Sequence, residues 1–116
     1  MNKREIGTYY EKQAGAYLET QGYEILAYNV TCSTGEVDIV ARHEGYLVFV
    51  EVKYRRTEEH GNPLEAVTDE KRRRISRCAF YYMNKYRLLE MPVRFDVVGI
   101  LGDRIQVVQN AFEFII

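Results

Sequence analysis

Residues 37–55 of this chain read VDIVARHEGYLVFVEVKYR. They form two short apolar runs, at residues 37–42 and 46–54, separated by a turn that contains Gly45. Valine-rich runs of this length predict two neighbouring β-strands. Three charged residues interrupt the apolar pattern: Asp38, Glu51 and Lys53. Because side chains alternate between the faces of a strand, we expect the last two to share a face.

The turn between these strands sets how the two acids are paired. If the loop consists of Glu44 and Gly45 alone, counting outward places Asp38 directly opposite Glu51, with Cβ atoms about 5 Å apart. One further loop residue would put the acids on opposite faces. Like charges placed opposite one another destabilise a sheet unless a cation lies between them or one acid takes up a proton. A hard ion such as Mg²⁺ or Mn²⁺ prefers oxygen ligands of this kind. The hairpin therefore either loses stability at this point or holds a metal ion there.

The rest of the chain predicts one α/β domain over residues 1–116, with a mixed central sheet flanked by helices. A helix is expected over residues 3–21. Thr68 is placed to cap a second helix. The predicted segments between and after the helices are a strand at 23–30, a turn at 31–35, the two strands above, a polar loop at 56–63, and strands at 93–101 and 104–109. The apolar stripe of the second helix is predicted to be Ile75, Cys78, Ala79, Tyr82 and Tyr86.

Composition is that of an ordinary soluble protein, with 47% apolar and 28% charged residues. No apolar stretch approaches the ~20 residues of a membrane span, and the N-terminal residues lead into a polar helix, so we expect a cytoplasmic protein without membrane contact. Cys78 is expected in the core and Cys32 in a loop. His43 and His60 form no ligand pair, so a structural metal site is not expected.

The net charge of −1 is unevenly distributed. Residues 53–87 hold ten basic and five acidic side chains, whereas residues 1–52 hold four and eight. A basic sector beside an acidic one suits a phosphate-binding metal site. The alternative is a solvated, helix-favouring surface, which is the usual meaning of a charge run.

Four further residues are candidates for the site. Glu11 lies at the edge of the apolar stripe of the first helix, from which a carboxylate can reach over the sheet. Lys71 lies on the core-facing stripe of the second helix, so it either extends to solvent or points into a polar pocket. Glu36 neighbours Asp38, and we expect it to face away. Asp96, in the fourth strand, is a possible ligand.

These residues resemble the D…ExK signature of the PD-(D/E)XK nuclease superfamily, and the whole chain resembles its YraN-like branch of small bacterial proteins. The motif segments are Gly35-Glu36-Val37-Asp38-Ile39-Val40 and Phe49-Val50-Glu51-Val52-Lys53-Tyr54-Arg55. The resemblance implies a restriction-endonuclease-like αβββαβ core, of the kind seen in Holliday-junction resolvases and tRNA endonucleases. Val37 stands where the name of the motif has proline.

The resemblance also implies roles for individual residues. Asp38 and Glu51 would bind Mg²⁺ or Mn²⁺ with the carbonyl of Val52, and Lys53 would orient the attacking water. Glu11 would be an outer ligand. Arg55 and Lys71 would meet nucleic-acid phosphates. Independently of the resemblance, the basic second helix offers Arg72 and Arg74 as further phosphate contacts.

Three functions remain open at this point. The first is a metal-dependent endonuclease that acts on DNA, with branched DNA as one substrate. The second is a nucleic-acid-binding module without catalysis, which would use the basic residues of the second helix. The third is a dimeric interaction protein, favoured by the aromatic residues Tyr81, Tyr82 and Tyr86, since tyrosine and arginine are enriched at interfaces. A homodimer is compatible with the first and the third.

Overall fold

The computed structural model describes residues 1–57 and 67–115. Two helices and five strands follow one another in the predicted order. Their bounds are α1 Lys3–Thr20, β1 Glu24–Cys32, β2 Gly35–His43, β3 Tyr46–Arg55, α2 Asp69–Lys85, β4 Val93–Leu101 and β5 Arg104–Phe112.

The five strands form one sheet in the order β1-β2-β3-β4-β5. The pairs β1–β2, β2–β3 and β4–β5 are antiparallel, whereas β3 and β4 are parallel. A parallel pair needs a crossover connection, and α2 lies in that connection. The prediction of an α/β fold with a mixed central sheet is therefore confirmed.

Each face of the sheet is covered by one helix. On one face, α1 buries Ala14 and Leu18 against alternate residues of the central strands, among them Val48, Val50 and Val98. On the other face, α2 buries a stripe against the remaining alternate residues; the α2 members are Ile75, Cys78, Ala79, Tyr82 and Met83. The two helices therefore approach the same strands from opposite sides.

Both helices begin at a capping side chain. Asn2 accepts a hydrogen bond from the N–H of Glu5 at 2.9 Å, and Thr68 accepts one from the N–H of Lys71 at 3.3 Å. The predicted cap at Thr68 is confirmed. In the described ranges, neither helix is both long enough and apolar enough to cross a bilayer.

Some local predictions were wrong. The turn expected over residues 31–35 is shortened to Ser33 and Thr34, because pairing with β2 extends β1 through Cys32. Cys32 therefore lies in a strand, and a disulfide joins it to Cys78 with a Cα–Cα distance of 5.5 Å. Tyr86 is not on the core stripe: it is 53% exposed and follows the last residue of α2.

Other sequence predictions are refined or lie outside the described residues. Cys78 is buried as expected. Of the three tyrosines proposed for an interface, Tyr82 is buried in the core, and Tyr81 and Tyr86 remain at the surface. Most of the predicted loop at 56–63 lies outside the described ranges, as does His60.

A buried polar cluster on the α1 face of the sheet accounts for Asp96. Asp96 has no exposed surface and accepts two hydrogen bonds from Arg94, at 2.9 and 2.8 Å, and one from the Tyr23 hydroxyl at 2.7 Å. Arg94 also contacts Nδ1 of His43 at 2.8 Å, and the His43 ring stacks on Tyr23. With its oxygens occupied in this way, Asp96 is engaged within the fold, which supports a structural role over the possible role as a ligand.

Candidate functional site

The β2–β3 hairpin has the register that its sequence predicts. His43 pairs with Tyr46 across a two-residue loop, and the pairing continues outward to Ile39 and Val50. The next positions outward in this register would be Asp38 and Glu51, but the ladder ends one step before them. The two acids therefore lie just beyond the last paired residues, where β2 and β3 separate.

The side chain of Asp38 occupies the opening between the separating strands. Its Oδ2 accepts a hydrogen bond from the backbone N–H of Val52 at 2.8 Å. In this way the carboxylate satisfies an N–H that a longer ladder would have paired with the backbone of β2. We call this opening, with Asp38 and Glu51 at its sides, the notch.

The course of β2 changes at the notch. Val37 belongs to the core that faces α2, whereas Ile39 belongs to the core that faces α1, although alternate residues of a regular strand share a face. On the neighbouring strand, Asn29 adopts a left-handed backbone conformation with φ of 52°, which asparagine tolerates better than most residues. Pairing of β1 with β2 passes from Tyr28 to Val30 without it. This irregularity lies beside Asp38.

Glu51 is buried and is held by two lysines. Its side chain is 5% exposed, and its Oε1 lies 3.3 Å from Nζ of Lys53 and 3.0 Å from Nζ of Lys71. The contact with Lys53 fits the prediction that the two residues share a face of β3. Lys71 therefore points into a polar pocket. Its position on the core stripe had also allowed the side chain to extend to solvent. Two ammonium groups therefore offset one buried carboxylate.

Asp38 also belongs to a cluster of three acids beside the notch. One oxygen from each of Glu11, Glu36 and Asp38 lies within 4.8 Å of the others. The expectation that Glu36 faces away from Asp38 was wrong: residues two apart on a strand project to the same side, and this spacing was the signal in the sequence. Glu11 is brought to the cluster by α1, as predicted from its position at the edge of the helix stripe.

The electrostatics of the notch penalise negative charge. Burial raises the pKa of Asp38 to about 9, and the nearby Glu51 adds to the rise. Burial also raises the pKa of Glu51, while the ammonium group of Lys71 opposes the rise. The pKa of Glu36 is raised by burial and by Glu11 and Glu51. The cluster therefore favours a proton or another cation among its oxygens.

The donor set matches the chemistry of a hard divalent cation. Such ions bind carboxylate oxygens at about 2.0–2.6 Å, so ligands on opposite sides of one ion lie about 4–5 Å apart. The three oxygens of the cluster lie within 4.8 Å of one another, which is close enough for all three to reach one ion. Glu51 borders the same notch and would contribute charge from the β3 side.

The notch is reached by side chains from both faces of the sheet. Glu11 comes from α1 on one face, and Lys71 comes from α2 on the other. The separation of β2 and β3 makes this possible, because a continuous sheet would keep the two helices apart. The site thus combines carboxylates from β2, β3 and α1 with ammonium groups from β3 and α2.

The arginines predicted to bind nucleic acid occupy different environments. Arg55 is half-buried at the end of β3 and donates a hydrogen bond to the carbonyl of Tyr54 at 3.0 Å. Arg72 lies 3.8 Å from Asp69 and over the ring of Phe112, and Arg74 forms an ion pair with Glu70. The two helix arginines are thus engaged within α2 and its surroundings, whereas Arg55 is close in sequence to the notch.

Comparison with known proteins identifies relatives of the whole chain. The model of the Uncharacterised protein family UPF0102 matches residues 10–100. A UPF0102 protein of Lachnoclostridium phytofermentans is 54% identical over 114 residues, which cover 97% of each chain. Another, from Syntrophus aciditrophicus, is 45% identical over 107 residues, covering 89% of this chain and 84% of the relative.

A third relative extends the same comparison. A UPF0102 protein of Geobacter sulfurreducens is 45% identical over 113 residues, covering 93% of this chain and 88% of the relative. The match therefore includes the strands that form the notch, the helix that carries Glu11 and the helix that carries Lys71. On these grounds the chain belongs to the UPF0102 family, the YraN-like group of bacterial proteins.

Proposed function

We propose that this protein is a metal-dependent endonuclease that hydrolyses phosphodiester bonds in nucleic acid, with branched DNA as one candidate substrate. The observation that carries the proposal is the convergence of Asp38, Glu51 and Lys53 on one notch, with Glu11 arriving from the first helix. Each acid of this set is an oxygen ligand, and the lysine is a hydrogen-bond donor beside them. The order of elements is also compatible with the core of the PD-(D/E)XK nucleases.

The proposed ligands of Mg²⁺ or Mn²⁺ are Asp38, Glu51 and the carbonyl of Val52, with Glu11 as an outer partner. Glu36 joins them in the proposal because its carboxylate lies in the same cluster. A divalent cation bound there would supply Lewis acidity toward a phosphoryl oxygen. The carboxylates would fix the position of that charge; Glu51 is buried, Glu11 and Asp38 are half-buried, and Glu36 is exposed.

Lys53 is the residue proposed to act on the reacting atoms. Its side chain is 18% exposed, and its ammonium nitrogen lies 3.3 Å from Oε1 of Glu51. An anchored ammonium can donate a hydrogen bond to the attacking water or to a non-bridging oxygen as negative charge develops there. Lys71 binds the same Glu51 oxygen and is 35% exposed, so its ammonium can also face a phosphate. We assign it to positioning Glu51.

The test is cleavage of labelled DNA in the presence of Mg²⁺ or Mn²⁺. Four-way junctions, flaps and linear duplexes of the same sequence are compared. We expect divalent-dependent cleavage of the branched substrates and a rate reduced about 100-fold or more in Lys53→Met, which removes a donor to developing charge. Lys85→Met is the matched control, because Lys85 is an exposed lysine in the last turn of α2.

Two results would count against the proposal. One is the absence of cleavage of every substrate with both metals. The other is cleavage by Lys53→Met at the rate of the control variant, which would indicate a contaminating nuclease or a different site. Circular dichroism shows whether each variant is folded, so that loss of activity is not confused with loss of the fold.

A further inference from the structure

A second cleft lies beside α1, on the other flank of the helix from the acidic cluster. It has a volume of about 600 Å³, which is within the range of ligand-binding pockets, ~300–1,000 Å³. Its lining includes Ile6, Tyr9, Tyr10, Tyr54, Arg55 and Arg56. Among the described residues that line it there is no acid. The cleft is therefore aromatic and basic.

Three tyrosine rings of the cleft contact one another in series. Tyr10 of α1 stacks on Tyr54 of β3, with ring centroids 4.2 Å apart and an interplanar angle of 19°. Tyr9 meets Tyr10 edge-on at 5.2 Å. Tyr10 and Tyr54 pack against the core below α1, whereas Tyr9 is 52% exposed. Tyr9 thus presents a half-exposed ring at the cleft.

The basic side chains lie where β3 ends. Arg55 is held by its hydrogen bond to the Tyr54 carbonyl, and Arg56 is exposed. An exposed aromatic ring beside two guanidinium groups has the chemistry that binds single-stranded nucleic acid: the base stacks on the ring and the phosphates meet the cations. Duplex DNA cannot use the ring in this way, because its bases are stacked on one another.

The cleft and the notch are formed by neighbouring residues of the same two elements, α1 and β3. Tyr54 directly follows Lys53 on β3, and Tyr10 directly precedes Glu11 on α1. The first turns of α1 separate the two openings: Tyr9 and Tyr10 line the cleft, and Gly7, Thr8 and Glu11 line the opening at the acidic cluster. Because both openings are lined by the same turns of α1, a single strand with its phosphate at the acidic cluster could pass around the helix and place a nearby nucleotide in the cleft.

We propose that this cleft binds an unpaired base in a single-stranded segment next to the phosphodiester that is cleaved. Tyr9 stacks on the base, and Arg55 and Arg56 contact the flanking phosphates. The inference rests on the proposed nuclease function and narrows its substrate class to nucleic acid with unpaired nucleotides beside the cleavage site, such as a flap or an open branch point, in preference to continuous duplex.

The test measures binding in the absence of divalent ions, so that it is independent of cleavage. Fluorescence anisotropy in EDTA compares a labelled single-stranded oligothymidylate with a hairpin duplex of equal nucleotide count. We expect tighter binding of the single strand and a five- to hundredfold loss of that affinity in Tyr9→Leu, which is the size of one base–aromatic stacking contact. Duplex affinity should not change in this variant.

Tyr81→Leu is the matched control, because Tyr81 is 49% exposed and lies on α2, away from the cleft. Asp103→Asn, in the exposed turn between β4 and β5, is a second control and should bind the single strand as well as the wild type in the same buffer. Arg56→Gln should weaken binding and lower its dependence on salt. These measurements test the cleft independently of the notch, because a protein without nuclease activity could still give the expected binding.

The inference is overturned by equal affinity for single strand and duplex, by no binding of either, or by equal effects of Tyr9→Leu and Tyr81→Leu. Cleavage of branched DNA together with any of these outcomes would leave the proposed nuclease function standing and reject the cleft alone. Single-strand binding that depends on Tyr9, with no cleavage in the presence of either metal, would reject the nuclease function and leave the binding cleft standing.

Discussion

At Asp38 a side chain takes the place of a backbone partner. Its carboxylate accepts the N–H of Val52 at the point where the β2–β3 ladder ends. The arrangement places a buried acid next to Glu51, at an energetic cost that two lysines offset only on the Glu51 side. A sheet selected for stability alone would put an apolar residue here. The cost is understandable if the acids act on a bound cation.

A pH dependence follows from the environment of Asp38. Its folded-state pKa of about 9 lies above the ~3.9 of an unfolded chain, so folding favours the protonated acid. This contribution to the free energy of unfolding is complete below about pH 4 and is lost as the pH rises toward 9. We expect metal-free wild type to lose stability between pH 5 and 8, by up to ~1.4 kcal/mol per pH unit.

Asp38→Asn tests this expectation because it removes the titrating group and keeps the size of the side chain. Urea denaturation in EDTA at several pH values should show a shallower fall in stability for the variant than for the wild type. Asp103→Asn, in the exposed turn between β4 and β5, is the control and should follow the wild type. Identical slopes for Asp38→Asn and wild type would contradict the account of this residue.

Several site residues could be predicted from alternation alone, and others could not. The common face of Glu51 and Lys53 follows from their spacing on one strand. The pocket for Lys71 was one of two options, because a helix stripe shows direction but not what lies opposite. Glu36 was misjudged although its spacing from Asp38 was visible. The disulfide between Cys32 and Cys78 depends on how β1 approaches α2, which no local pattern contains.

At the scale of elements, the hairpin of β2 and β3 shows what local rules decide. A two-residue loop fixes the register, and the predicted pairing holds as far as Ile39 and Val50. The end of the ladder does not follow from local rules, because it depends on whether the Asp38 side chain or the backbone of β2 accepts the N–H of Val52. The strand β1 was predicted too short for a related reason: pairing with β2 overrides the turn-like composition of residues 31–35.

The positions of the two helices also go beyond local rules. Their periodicity predicts that each buries a stripe, and both do. It does not tell which face of the sheet each helix covers. The placement on opposite faces lets Glu11 and Lys71 converge on the notch from two directions. Gly15 contributes to this placement, because a Cβ at that position would collide with the hydroxyl of Tyr28 on β1.

For the molecule as a whole, the sheet carries the notch in one place and a buried polar cluster in another. The notch lies at the divergence of β2 and β3. The buried cluster of Tyr23, His43, Arg94 and Asp96 lies near the hairpin turn of the same strands and links β2 with β4. The order of elements was predictable, whereas the parallel pairing of β3 with β4 and this cluster depend on contacts between residues far apart in the chain.

The structural role of the buried cluster gives a stability prediction. Arg94→Met leaves the fully buried Asp96 without its main partner, and an unpaired buried charge costs about 3–5 kcal/mol. The double variant Arg94→Met with Asp96→Leu removes both charges and should recover much of the loss. Chemical denaturation measures both. A single variant as stable as wild type would show that the ion pair does not hold this part of the sheet.

The central claim is that the notch binds a divalent cation, and calorimetric titration with Mn²⁺ tests it without any assumption about the substrate. The wild type should bind Mn²⁺, and Asp38→Asn should lose most of that affinity while Asp103→Asn retains it. Absence of Mn²⁺ binding by the folded wild type, or equal binding by Asp38→Asn, would contradict the account.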